Sequence, residues 1–222
     1  MDYRQIPNLI TTARLVLAVV FFTILSWYQY GGRGHSILLT IGFFICLIAI
    51  TTDWLDGYLA RKWKVESGFG RVIDPFVDKI LVLGSFIFFA GKNFIISDPA
   101  ISQPYVVKTI TGVTPAMVVV ILGRELLVTS IRGLAEKSGI AFGADQWGKI
   151  KMVLQSITIL VIITYVYFHE IFRQHFPDVL SSYDRWAGTF RDGMIWVMLV
   201  ATVASAWGYL RRSTGLMQSD DR

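Results

Sequence analysis

Apolar residues collect along the chain into six runs, near 9–30, 36–56, 74–96, 114–132, 150–169 and 192–210. Each is about as long as a helix needs to cross a bilayer, roughly 20 residues. Short polar stretches separate them. The pattern predicts an all-α, polytopic membrane protein of six transmembrane helices, forming one domain over residues 1–222. In the opening MDYRQIPNLITTARL, Pro7 and Asn8 mark a helix start, with an interfacial segment before it. A cleaved leader is not expected, because the first apolar run is too long and contains Arg14. The stretches 97–113 and 170–191 read as polar connections at one end of the bundle, and RRSTGLMQSDDR as a tail at the other.

Composition sharpens this picture. Apolar residues make up 54% of the chain and charged residues 17%, with a mean hydropathy of +0.53. A soluble domain carries about 25% charge. The single cysteine, Cys46, excludes an internal disulfide and lies within an apolar run, as a packed thiol would.

Charge gives the orientation. With six helices, both termini and the 2–3 and 4–5 turns share a side. Of 21 Lys and Arg, the other side holds only Arg33, Lys92, Lys108, Arg173, Arg185 and Arg191. The positive-inside rule therefore puts the termini and the 2–3 turn in the cytoplasm. The net charge of +5 follows from this topology and suits anionic lipid. It does not indicate nucleic acid, since no recognition motif accompanies it.

The 2–3 turn holds the chemistry, in TTDWLDGYLARKWKVESGFGRVIDPFVDK. On a helix, Asp53, Asp56, Gly57 and Ala60 share one face, offering two acids and then two small side chains. Arg61 follows, suited to gripping a phosphate. Gly70, Asp74 and Asp78 share a face of the next segment, and Pro75 suits the first turn of that helix. Aspartates at helix ends often only cap. Four of them converging would repel strongly, and one or two Mg²⁺ or Mn²⁺ ions held through oxygen ligands would compensate.

These residues resemble the CDP-alcohol phosphatidyltransferase family, whose pattern is D-x2-D-G-x2-A-R-x8-G-x3-D-x3-D. All eight fixed positions and every spacing are kept, from Asp53 to Asp78. The resemblance implies six helices, cytoplasmic termini and a homodimer. It implies that Asp53, Asp56 and Asp74 hold metal on the pyrophosphate of CDP-diacylglycerol, with Asp78 sharing in coordination. Gly57, Ala60, Arg61 and Gly70 would contact the CDP-lipid, and Asp78 would be the base that deprotonates the attacking alcohol.

Two further stretches bear on that alcohol. PNLITTAR, with Asn8, Thr11 and Arg14, resembles the start of the bacterial phosphatidylglycerophosphate synthases within this family. Those three side chains would line the cavity, unless Asn8 only caps and Arg14 only anchors at the interface. GRELLVTSIR and WGKIKMVLQ resemble the same branch. Arg124, Arg132 and Lys149 would then bind the phosphate of glycerol 3-phosphate. Lys137 and Lys151 read more simply as positive-inside residues. The membrane expected from the branch is the bacterial inner membrane. Phosphatidylinositol-phosphate and cardiolipin synthases share the metal motif and remain open. An intramembrane prenyltransferase would separate its aspartate motifs further. A divalent-cation transporter would want acids near the bilayer midplane.

Overall fold

A computed structural model describes the backbone of residues 6–63, 68–96, 108–137 and 146–220. Side chains are described over 9–52, 76–77, 79–96, 108–134 and 146–208. The described chain is helical: α1 Ile6–Trp27, α2 Ile37–Trp63, α3 Gly68–Phe89, α4 Pro115–Lys137, α5 Gln146–His175, α6 Pro177–Tyr183 and α7 Thr189–Asp220. A π-type turn, Asp184–Gly188, joins the last two. α1 packs on α2 and α3, α5 on α2 and α7, and α4 on α7.

The burial pattern is that of a membrane protein. Large apolar side chains point outward, Val119, Leu126 and Val200 among them, at 64–68% exposure. Inside, beside aromatics such as Phe21, Phe86 and Phe89, lie small polar side chains including Thr158, Thr202 and Ser205. Their hydroxyls donate to carbonyls of their own helices, Thr158 to Leu154, Thr202 to Met198 and Ser205 to Thr202. These three hydroxyls are thus not left bare where water cannot reach. Three described spans are long and apolar enough to cross a bilayer: Leu9–Trp27, Gln146–His175 and Pro177–Gly208. Within the described residues, α2 and α3 contribute the apolar stretches Ile37–Thr52 and Lys79–Phe89. The chain is an integral membrane protein.

The element bounds differ from the hydropathy runs in instructive places. α2 does not stop where its apolar run stops but continues to Trp63. α3 starts at Gly68, so Pro75 stands two turns inside it rather than in its first turn. There its missing N–H takes the intrahelical donor from the Arg71 carbonyl. At its other end, α3 stops at Phe89 and a 3-10 turn, Lys92–Phe94, follows. Residues 170–191 are mostly helical rather than a loop, because Pro177 restarts the chain as α6 with its fixed φ. Residues 1–5, where the interfacial segment was expected, lie outside the described residues.

The end of the bundle away from the motif is tied by side chains. Gly31 and Gly34, at φ 68° and 102°, turn the chain between α1 and α2. Asn93 donates its amide to the Leu25 and Ser26 carbonyls at the end of α1. The Tyr28 hydroxyl donates to Glu170 at 2.7 Å, and Arg173 and Gln174 approach the other oxygen of that carboxylate. Burial pushes the Tyr30 phenol up to about 12, so it stays protonated. Its oxygen lies 2.7 Å from His169 Nδ1, and the Nε2 side of that ring faces Asp184 at 3.6 Å. Arg191 lies over the Tyr165 ring at 4.2 Å and donates to the Ile110 carbonyl. Ile110, next to the antiparallel Ile95–Thr109 bridge, is thereby fixed with α5 to α7.

Candidate active site

The rigid end leaves the chemistry to the other one. The apolar part of α2, Ile37–Thr52, is about 24 Å long at the helical rise. Asp53 comes next, close to where hydrocarbon gives way to headgroups. The backbone stays helical through Asp53, Asp56, Gly57, Ala60 and Arg61, all in α2. Gly70, Asp74 and Asp78 are all in α3. The helical spacing assumed for both halves of the motif is therefore the spacing present. The side chains at these eight positions, and residues 64–67 between the helices, lie outside the described residues. The same holds for the Asn8 side chain.

Around this motif the helix interiors are polar. Thr11 and Arg14 of α1 are 1% and 3% exposed, so Arg14 points into the bundle and not to the interface. On α4, Arg124 donates to Glu125 at 3.0 Å and to the Ser205 hydroxyl of α7 at 3.0 Å. Lys151 of α5 meets the same oxygen, Glu125 Oε1. The three charged side chains are 8%, 9% and 5% exposed. Two cations sharing one carboxylate oxygen leave a positive surplus among the described groups, in a place with little water. An anion fits there. Lys79, directly after Asp78, donates to Thr129, whose own hydroxyl donates to the Glu125 carbonyl. One continuous set of contacts thus links α3, α4, α5 and α7.

The expected acceptor residues are therefore distributed unevenly. Arg124 is inside, within the cluster, while Arg132 and Lys149 are exposed. Lys151, read from the sequence as a topology residue, is buried on Glu125. Glu125, Lys79 and Gln155 belong to the same polar interior and were not singled out as site residues. The available hint was spacing: Lys151 and Gln155 are four apart, hence on one face of α5.

Comparison with known proteins decides the family. The CDP-alcohol phosphatidyltransferase family model matches residues 4–207. The chain belongs to the CDP-alcohol phosphatidyltransferase family. Among curated proteins it is 30% identical over 216 residues to the CDP-diacylglycerol–glycerol-3-phosphate 3-phosphatidyltransferase of Bacillus subtilis, covering 94% of this chain and 95% of that one. It is 32% identical over 161 residues to the protein of that name from Haemophilus influenzae, covering 70% and 73%. The Cereibacter sphaeroides protein of that name is 24% identical over 240 residues, covering 97% and 98%. The family is enzymatic, and this phosphatidyltransferase is an enzyme of it.

Proposed function

We propose that this phosphatidyltransferase moves a phosphatidyl group from CDP-diacylglycerol to a hydroxyl of sn-glycerol 3-phosphate, releasing CMP and forming phosphatidylglycerophosphate. The observation that carries the acceptor is the buried Arg124–Glu125–Lys151 cluster, which offers surplus positive charge inside the bundle to a substrate bearing its own phosphate. The shared name of the Bacillus, Haemophilus and Cereibacter relatives supports the same acceptor. Arg132 and Lys149, being exposed, would act at the mouth rather than inside.

The donor set of the motif is four carboxylates with no nitrogen or sulfur, which suits Mg²⁺ or Mn²⁺. Asp53, Asp56, Asp74 and Asp78 would hold it, and when bound it would neutralise the pyrophosphate of the CDP-lipid. Gly57, Ala60 and Gly70 leave room for the nucleotide, and Arg61 contacts its phosphates. Asp78 takes the proton from the acceptor hydroxyl. The resulting oxygen forms a bond to the phosphorus carrying diacylglycerol, and the bond from that phosphorus to the CMP oxygen breaks. Thr11 and Arg14 line the cavity from α1, with Asn8 one turn before. The working form is a homodimer in a bacterial inner membrane, with six spanning helices and the motif and termini on the cytoplasmic side.

The test is acceptor competition. Purified protein with CDP-diacylglycerol and Mg²⁺ is offered glycerol 3-phosphate, inositol phosphate and phosphatidylglycerol, and the lipid products are identified. Phosphatidylglycerophosphate should dominate, chelation should stop CMP release, and Mg²⁺ or Mn²⁺ should restore it. Phosphatidylinositol phosphate or cardiolipin as the main product would replace the acceptor and leave the family chemistry in place. Within the same assay, Asp78→Asn should reduce turnover to background while CDP-lipid binding persists. Retained turnover removes Asp78 from the base role.

A further inference from the structure

Gln155 lies on α5, one turn beyond Lys151 and on the same face. It is 1% exposed, and its amide Nε2 has no hydrogen-bond partner among the described residues. Such a donor is costly to keep, because water has been lost and nothing replaces it. The buried hydroxyls of α5 and α7, Thr158, Thr202 and Ser205, give their protons to carbonyls of their own helices, and none of them accepts from this amide. Nor does it face lipid, where it would be exposed. Whatever satisfies the amide reaches it from within the bundle, on the face of α5 that Lys151, bound to Glu125, shares one turn away.

Resting on the acceptor reading above, we propose that Gln155 is a binding residue for the phosphorylated alcohol, giving its amide N–H to an acceptor oxygen one helical turn deeper than the cations. Arg124 and Lys151 supply charge, which any phosphate would satisfy. A neutral, directional donor beyond them tells one phosphorylated alcohol from another by where its oxygens lie. An amide without a partner among the described residues is the cost of holding that donor ready, and function is a common reason for such a cost.

The test uses the whole enzyme in detergent, with glycerol 3-phosphate as the probe. Gln155→Met keeps the length of the side chain and removes the donor. Its melting temperature should equal or exceed that of the unmodified enzyme, since an unsatisfied amide has been replaced by an apolar group. Its KM for glycerol 3-phosphate should rise about tenfold, the factor that accompanies loss of one ligand hydrogen bond. The KM for CDP-diacylglycerol should stay within about twofold, a split that a scaffold residue would not produce. A fixed glycerol 3-phosphate concentration should raise the melting temperature of the unmodified enzyme by more than that of Gln155→Met. Gln155→Glu, which keeps shape and polarity but presents a carboxylate, should also raise the acceptor KM. An unchanged acceptor KM in both variants assigns the amide to a buried water and overturns the proposal. Loss of folding in both assigns Gln155 to the scaffold and overturns it too. Failure of the unmodified enzyme to use glycerol 3-phosphate at all refutes the acceptor reading instead, a result seen before any variant is made.

Discussion

Glu125 holds two cations on a single oxygen, and all three groups are nearly shut off from solvent. The energetics of such a cluster are lopsided. Removing one partner strands charge in a low-dielectric interior, whereas replacing the whole set with apolar residues leaves nothing unpaired. Glu125→Gln should therefore destabilise the chain by about 3–5 kcal/mol, the usual penalty for breaking a buried pair. A triple replacement by Arg124→Met, Glu125→Leu and Lys151→Met should recover most of that loss and still fail to use glycerol 3-phosphate. Thermal melts in detergent beside product assays separate the two effects. If Glu125→Gln melts with the unmodified protein, the cluster is not what holds α4 to α5. The Tyr28–Glu170 bond at the other end of the bundle follows the same logic with one charge fewer. Tyr28→Phe takes one donor from a carboxylate that keeps Arg173 and Gln174, so its cost should be nearer 1 kcal/mol.

Helices, in turn, meet where small residues let them. In α3, a Cβ on Gly84 would lie 2.4 Å from Phe22 Cζ of α1, and the Phe22 ring stacks on Phe88 at 5.4 Å and 7°. Gly84→Ala should push that ring out of its stack and cost about 1–3 kcal/mol, in the range for overpacked cores. Unchanged melting would mean that the ring has somewhere else to go. The all-helical class and the placement of the long helices were legible in the hydropathy runs, and so was the helical spacing of the aspartate motif, which is written in consecutive turns. The bounds were less so. α2 carries its helix to Trp63 through residues that no hydropathy window favours, because backbone hydrogen bonding continues after the apolar stretch ends. The direction in which Lys151 points could not be read. α5 is apolar nearly all round, so its sequence does not say which stripe faces the bundle, and only packing against α2 and α7 does.

At the scale of the whole molecule, the tied end and the aspartate-motif end lie at opposite ends of the bundle, and the proposed reaction requires the motif end to face its soluble substrate. The positive-inside excess predicts that this is the cytoplasm. The chain suits a direct test, because its one cysteine, Cys46, is buried and should resist labelling. His35→Cys, in the glycine-rich turn between α1 and α2, should react with a membrane-impermeant maleimide on the outer face of the inner membrane in spheroplasts expressing the protein. Ser67→Cys, between the two halves of the motif, should react only after the membrane is permeabilised. The reversed result would put the motif on the outer face, away from cytoplasmic glycerol 3-phosphate. The charge count would then have misled, and the acceptor would have to come from the other side. Labelling of both in intact spheroplasts would mean mixed insertion. In that case activity in sealed inverted vesicles, where only the cytoplasmic face is open to added substrate, would show which population works.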